Sequence, residues 1–367
     1  MVPGRDRRPV THRRRRHRTK ILALLTAGAL CLAAFAIVQL TTERAKPLPA
    51  PVIRRSQRLG AVAWPADGQS AADISGVGLV PGPGATRPVP IASVAKVMTA
   101  YVLLRDHPLA ASASGPLITV RPREAAAYTS QARNGDSLVL VAAGETITER
   151  QALEALLLPS ADNMAWILAR WDAGSQAAFV ARMNTTARQL GMTATTYTDP
   201  SGLDASTTST ADDQARLGMA AMHVPALAAV AAMRTATIPV AGVVGNYNTL
   251  LGRDGIAGLK TGSTQAAGGC VLLAARRQDG SRDTLIVAAR LGQPGTAQTI
   301  LPNALRAGHA LVLSLDDALS RQPRRPSPRR SPGSSPPDSL PSSRRAVDPG
   351  LVSAPRRAGW TAWRGPW

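Results

Sequence analysis

Ile91-Ala92-Ser93-Val94-Ala95-Lys96 opens a run of apolar residues, spaced by three and four, that extends to Arg105. This spacing predicts a helix over 93–105. Residues at i and i+3 are neighbours on a helix surface, so the Lys96 amine can reach the Ser93 hydroxyl. The positive end of the helix dipole also favours negative charge developing on that oxygen. Scarcity makes Lys96 conspicuous. The chain has 39 Arg but four Lys, and between residues 59 and 320 the two lysines are Lys96 and Lys260. Where Arg serves as the general cation, a retained Lys points to a need for an amine that can lose its proton, which a guanidinium cannot do.

Lys260 opens Lys260-Thr261-Gly262 at the end of a predicted strand, with Ser263-Thr264 behind it. A cation, a hydroxyl and a glycine that admits a ligand close to the backbone together make a cradle for a carboxylate. A third polar cluster, Pro159-Ser160-Ala161-Asp162-Asn163, falls at a break between two predicted helices, where a hydroxyl is free to point into a cleft. Singly, these are an ordinary helix start, a turn and a cap. Their conjunction, in a region with two lysines, carries the argument.

Outward from these motifs, apolar patterning predicts strands over 59–64, 258–261, 269–275 and 284–291. It predicts helices over 93–105, 149–158, 163–171, 176–190, 210–222 and 297–314. Strands at the two ends with helices between them describe an α/β fold with one sheet of sequence-distant strands and a helical insert, not a series of βαβ repeats. His107 reads as a helix C-terminal residue, Asp212 and Asp213 as first-turn charges, and Cys270 as a small buried side chain. Trp166 and Trp171 read as core or cleft-wall residues of the insert.

The 367 residues carry 43 Lys+Arg against 23 Asp+Glu, net +20, and that charge is unevenly placed. Segments 1–20 and 321–367 each carry +8, which leaves the middle nearly neutral. With no one-sided basic face and 3% aromatic residues, a nucleic-acid partner is not expected. Residues 1–20 form a basic cytoplasmic segment that leads into 21–40, twenty residues without a charge. This run is long enough for a transmembrane anchor with its cationic flank inside. Alternatively, Ala34-Phe35-Ala36 supplies a cleavage site and the same run is a signal peptide. Both versions carry the following region out of the cytoplasm. Residues 41–58 read as a linker, 59–320 as the functional domain, and 321–367, rich in Arg, Pro and Ser, as a disordered tail. Cys31 and Cys270 predict no structural disulfide. The five histidines form no metal spacing, and neither a His-Glu-x-x-His nor a Gly-x-Ser-x-Gly motif occurs, so no metal is expected.

The ordered set Ser93-x-x-Lys96, Ser160-x-Asp162 and Lys260-Thr261-Gly262 resembles the three active-site motifs of penicillin-binding proteins and serine β-lactamases. Further text is similar to the D-alanyl-D-alanine carboxypeptidases of the low-molecular-mass penicillin-binding class, serine peptidase family S11. It comprises Pro90-Ile91-Ala92-Ser93, Leu156-Leu157-Leu158-Pro159-Ser160, Met183-Asn184, Asp199-Pro200-Ser201-Gly202-Leu203, Ser209-Thr210-Ala211-Asp212 and Gly258-Leu259-Lys260-Thr261-Gly262-Ser263. The resemblance spans roughly 59–314. It implies a β-lactamase/transpeptidase-like fold, an antiparallel sheet flanked by helices with a helical subdomain inserted. It also implies no cofactor, a peptidoglycan stem peptide ending in D-Ala-D-Ala as substrate, and β-lactams as covalent inhibitors.

By the same resemblance Ser93 is the nucleophile and Lys96 takes its proton, for which the amine must be largely neutral. Ser160 relays a proton to the leaving amine. Lys260 and Thr261 bind the terminal carboxylate, and the N–H groups of Ser93 and Ser263 form the oxyanion hole. Gly262, Asp162 and Asn163 complete the substrate-binding set. The second motif departs from the family, where Asn is common at the place of Asp162. A carboxylate beside Lys96 favours the ammonium and opposes its use as a base. Either Asn163 turns inward while Asp162 faces solvent, or Asp162 is protonated or paired elsewhere; on both readings Asp162→Asn leaves acylation intact or improves it. Two alternatives stand beside the carboxypeptidase. A serine β-lactamase needs a glutamate after the second motif, yet the last glutamate of the chain is Glu154. A non-catalytic, penicillin-recognising wall-binding domain would keep the fold without the chemistry.

Overall fold

The computed structural model describes residues 59–279 and 282–321. Their elements, in chain order, begin with β1 (Gln69–Ile74), β2 (Gly78–Pro81) and β3 (Val89–Pro90), then a 3-10 turn, Ala92–Ala95, that runs directly into α1 (Lys96–Asp106). The helical region follows: β4 (Leu117–Thr119), α2 (Pro122–Ala126), α3 (Tyr128–Arg133), β5 (Thr146–Thr148), α4 (Glu149–Leu157), α5 (Asp162–Ala173), α6 (Gln176–Gln189), β6 (Thr208–Ser209), α7 (Ala211–Met222) and α8 (Pro225–Ala231). The chain then returns through the hairpin β7 (Thr235–Ile238) and β8 (Gly242–Gly245) to the long strands β9 (Ile256–Thr264), β10 (Gly268–Asp279) and β11 (Arg282–Gln293), and ends on α9 (Ile300–Ser320).

The main sheet has five strands in the order β2-β1-β11-β10-β9, antiparallel throughout. Its oldest strand in chain order pairs with its youngest, Ala71 opposite Ala289, which is the closure of sequence-distant strands that the patterning predicts. Strands β10 and β11 read as continuous apolar runs because both of their faces are covered. On one face Leu273, Ala275, Ile286 and Ala288 pack against Leu305, Leu311 and Leu315 of α9. On the other, Leu272, Ala274, Val287 and Ala289 join the core of the helical region, with Met98, Leu153 and Leu217. Helix α7 lies directly on this second face, where Gly218 leaves room for Val287 and Leu272.

The expected strand over 59–64 does not form. The segment runs beside α9, where the Ala63 N–H donates to Ser314 Oγ (2.6 Å) and Leu59, Val62 and Trp64 pack on the α9 side of the core. The sheet position is taken by Gln69–Ile74, whose sequence QSAADI lacks the β-branched run that marks a strand. The other long elements agree with expectation to within a few residues. The short ones, α2, α3, α8 and the β7–β8 hairpin, carry too few residues to show a period. The basic segment 1–20, the apolar run 21–40, the linker 41–58 and the tail from 322 onward lie outside the described residues. Among the described residues, no helix is long and apolar enough to cross a membrane.

Candidate active site

Three parts of the chain meet at Lys96 Nζ. Its side chain is fully buried, and its Nζ has three acceptors: Ser93 Oγ at 2.7 Å, Asp162 Oδ1 at 2.6 Å and the Ser201 carbonyl at 3.1 Å. Three acceptors match the three N–H groups of an ammonium ion, and a buried ammonium is tolerable when it is paired and hydrogen-bonded in this way. Ser93 sits one turn before Lys96 in the 3-10 turn and remains partly exposed. The residue before it, Ala92, is held at φ +47°, a conformation that costs a non-glycine residue on the order of 1 kcal/mol and recurs at functional sites.

The second motif lies at the break between α4 and α5. Ser160 is held at φ +65°, and its Oγ is buried with no hydrogen-bond partner among the described residues. A buried hydroxyl left unpaired costs roughly 1–3 kcal/mol, which marks it as a group kept for something other than packing. Asp162, two residues on, is an acceptor on two sides. Its Oδ1 takes Lys96, while its Oδ2 takes the Ser137 N–H (2.9 Å), and its own N–H donates to the Ser137 carbonyl (2.6 Å). Neither sequence reading of the Asp162-Asn163 pair holds. Asp162 is buried and ion-paired with Lys96 itself. Asn163 turns away from the site, its Nδ2 donating to the Val139 carbonyl (2.8 Å) and its Oδ1 accepting from the Val139 N–H (3.3 Å). Asn163 therefore ties α5 to the segment after α3 and is not placed to touch a ligand beside Lys96.

The third motif lies on β9, the edge of the sheet. Its backbone pairs with β10 on one side, Lys260 opposite Leu272 and Gly262 opposite Cys270, and among the described residues no strand covers the other. Lys260 is buried, with Nζ donating to the Thr261 carbonyl (3.0 Å). Burial pushes its amine well below the usual lysine range, the positive charge of Lys96 pushes further the same way, and Asp162 opposes them. Lys260 shares its face of β9 with Gly262, toward the helical region, while Ser263 is the exposed polar residue of the motif. Gly262 faces Ser93: a Cβ built there would stand 2.8 Å from the Ser93 nitrogen and 2.9 Å from that of Val94. A side chain at 262 would fill the space over the Ser93 N–H.

The structure thus brings Ser93, Lys96, Asp162, Lys260 and Gly262 together, with Ser160 two residues before Asp162 in the chain. It leaves Asn163 out. Sequence reasoning assigned no role to the Ser201 carbonyl, to Ser137, or to Asp136 beside it, whose carboxyl is pushed above the usual range by burial and by Asp162 against the pull of Lys96. Backbone acceptors and donors leave no residue-type signal. Elsewhere, His107 ends α1 with its Nε2 2.9 Å from Asp172 Oδ1 and its ring over Trp171, and Cys270 is buried on β10, its thiol pushed up to about 12.

The profile of peptidase family S11, described as D-alanyl-D-alanine carboxypeptidase, matches residues 83–290. A D-alanyl-D-alanine endopeptidase of Pseudomonas aeruginosa is 41% identical over 139 residues, 38% of this chain and 42% of its own. A D-alanyl-D-alanine carboxypeptidase of Escherichia coli is 30% identical over 203 residues, 54% of this chain and 50% of its own. The chain thus spans about half the length of these curated relatives. Among solved structures, the D-alanyl-D-alanine carboxypeptidase of Mycobacterium tuberculosis aligns with a TM-score of 0.60 at 30% identity, over 72% of this chain and 96% of that one. The Streptomyces K15 DD-transpeptidase, at 22% identity and a TM-score of 0.61 over 70% of this chain and 100% of that one, shares the fold. With the three motifs assembled around one buried lysine on this fold, the chain belongs to the D-alanyl-D-alanine carboxypeptidase family of serine peptidases, S11.

Proposed function

We propose that the protein is a serine-type D-Ala-D-Ala carboxypeptidase that removes the terminal D-Ala from peptidoglycan stem peptides through an acyl-enzyme on Ser93. The observation that carries this reading is the 2.7 Å contact between a fully buried Lys96 Nζ and Ser93 Oγ. That distance is within reach for proton transfer from a nucleophile to its base. A stem peptide lies along the open edge of β9, extended, with its penultimate carbonyl over Ser93. Ser93 Oγ bonds to that carbonyl carbon while its proton passes to Lys96. Lys96 first gives one of its own protons toward Asp162, the carboxylate 2.6 Å away. The N–H groups of Ser93 and Ser263 take the oxyanion, the C–N bond to the terminal D-Ala breaks, and the leaving amine receives its proton from Lys96 by way of Ser160. Water then hydrolyses the ester by the reverse proton route. Lys260, Thr261 and Ser263 of β9 bind the free carboxylate.

β-Lactams, which present a strained amide to the same serine, are read as covalent inhibitors. Rapid hydrolysis of them is not supported, because the last glutamate, Glu154, is ion-paired with Arg150 within α4 (2.9 Å) and no glutamate follows the second motif. The uncharged run 21–40 behind its arginines supports an extracytoplasmic position for the domain, held by an anchor or released by cleavage. The test is D-Ala release from diacetyl-Lys-D-Ala-D-Ala by the native protein and by Ser93→Ala. Release by the native protein alone supports the reading. Release by neither, with intact cross-linked muropeptides cut instead, would assign the same site to endopeptidase chemistry, the activity named for the Pseudomonas aeruginosa relative.

A further inference from the structure

The loop between α6 and β6 contains a carboxylate, Asp199, that holds two adjacent peptide planes aimed at the lysine's helix. Asp199 Oδ2 accepts from the N–H groups of three successive residues, Ser201 (3.0 Å), Gly202 (2.8 Å) and Leu203 (3.1 Å), and from Ser201 Oγ (2.5 Å). Its Oδ1 accepts from Thr207 Oγ1 (2.6 Å). Successive N–H groups closing on one anion form a nest, an arrangement that fixes the orientation of each peptide plane in it. A peptide unit is planar, so orienting its N–H orients the carbonyl on its other side. The carbonyl that shares a plane with the Gly202 N–H is that of Ser201, which accepts from Lys96 Nζ (3.1 Å). The carbonyl that shares a plane with the Ser201 N–H is that of Pro200, which accepts from Thr99 Oγ1 (2.6 Å), one turn further along the lysine's own helix. Two adjacent peptide planes thus run from the Asp199 carboxylate to α1. Gly202, at φ +79°, packs so close to Ala92, next to the nucleophile, that a Cβ there would collide with the Ala92 carbonyl oxygen.

We infer that Asp199 is a positioning residue for Lys96, acting through the Ser201–Gly202 peptide group. Hydrogen bonds in series polarise one another, so a carboxylate on the N–H side makes the Ser201 carbonyl a stronger and more tightly aimed acceptor. Of the three acceptors on Lys96, Ser93 changes chemically during the reaction and Asp162 exchanges a proton with it. The Ser201 carbonyl is the one that stays fixed, and it keeps the amine in line with Ser93 Oγ while the other two change. This rests on the reading of Ser93 as nucleophile and Lys96 as its base.

The experiment measures acylation of the full chain by labelled penicillin and D-Ala release, resolved into kcat and KM, for the native protein, Asp199→Asn and Thr207→Val. Asp199→Asn places an NH2 or a single oxygen against donors that need a carboxylate. It is expected to lower kcat and the acylation rate about thirtyfold, with KM changed less than about threefold. Thr207→Val removes the bond to Asp199 Oδ1, along with the contacts of Thr207 Oγ1 to the Thr198 and Asp199 N–H groups and to Thr198 Oγ1, but keeps the three N–H bonds to Oδ2; it is expected to lower the rates by about threefold to tenfold, which keeps the test open if Asp199→Asn fails to fold. A loop that merely holds the fold together would depress the slow residual acylation of Lys96→Ala by the same factor. A positioning residue for Lys96 leaves that residual rate unchanged when Asp199→Asn is added to it. Equal factors in both backgrounds, or full rates in both single variants while the native protein acylates, overturn the inference and leave the serine reading standing. No acylation of the native protein overturns both.

Discussion

The two faces of the central sheet are built from the same strands and bury different chemistry. Against α9 the fully buried contacts are between apolar side chains such as Leu273, Ile286, Leu311 and Leu315; Arg277 of β10 pairs with Asp316 of α9 where both are partly exposed, and Arg290 on β11 is bonded to Ser70 Oγ and Gln293 Oε1, each at 2.9 Å. On the side of the helical region, Lys96, Lys260, Asp162, Ser160, Thr99 and Ser201 are all buried beside an apolar core. Burial of this many polar groups is unfavourable unless each is paired, and replacing such pairs by apolar residues is often stabilising. A fold needing only stability would use the first kind of packing on both faces. The difference between the faces therefore locates the chemistry, and substitutions on each side should separate stability from acylation.

The largest loss of acylation among these substitutions is expected from Gly262→Ala, whose new Cβ meets the Ser93 and Val94 nitrogens. Removing access to one oxyanion donor costs about a hundredfold in rate. Stopped-flow acylation with a fluorescent penicillin checks this, and a rate within threefold of native would show that the oxyanion lies elsewhere. Asp162→Asn comes next. The expectation from sequence, intact or improved acylation, is reversed by the structure, because an amide oxygen can accept from Lys96 or from the Ser137 N–H but not from both, and an amide cannot take a proton from Lys96. The expected loss is about tenfold, with a melting temperature lowered by the unpaired donor at a cost of roughly 1–3 kcal/mol. Undiminished acylation would return Asp162 to a passive role. Leu311→Ala, on the α9 face, should leave the acylation rate of the folded protein unchanged while costing about 2–5 kcal/mol in denaturant unfolding. A parallel loss of acylation there would mean that the two faces are not separable.

How much of this was legible in the sequence follows from what kind of signal each part carries. Ser93 and Lys96 stand out through local spacing, and Lys260 through its rarity in an Arg-rich chain. The long strands and helices stand out through their periods. The first strand of the sheet does not, since Gln69–Ile74 is held by pairing with β11 some two hundred residues away and its composition carries no strand preference. The partner of Asp162 and the outward turn of Asn163 were illegible for the same reason: both depend on Ser137 and Val139 arriving from a separate segment. The Asp199 nest is written almost wholly in backbone N–H groups, which every residue other than proline possesses. Residue types report side-chain chemistry and local period; they do not report which peptide planes a loop will aim at a site.

The account stands or falls on Ser93. Labelled penicillin incubated with the native full chain, followed by peptide mass mapping, should place a single covalent adduct on Ser93. The same treatment of Ser93→Ala, folded to the same melting temperature, should give none. An unlabelled native protein, or an adduct that persists in Ser93→Ala, would contradict the assignment of the buried lysine cluster as an acylation centre.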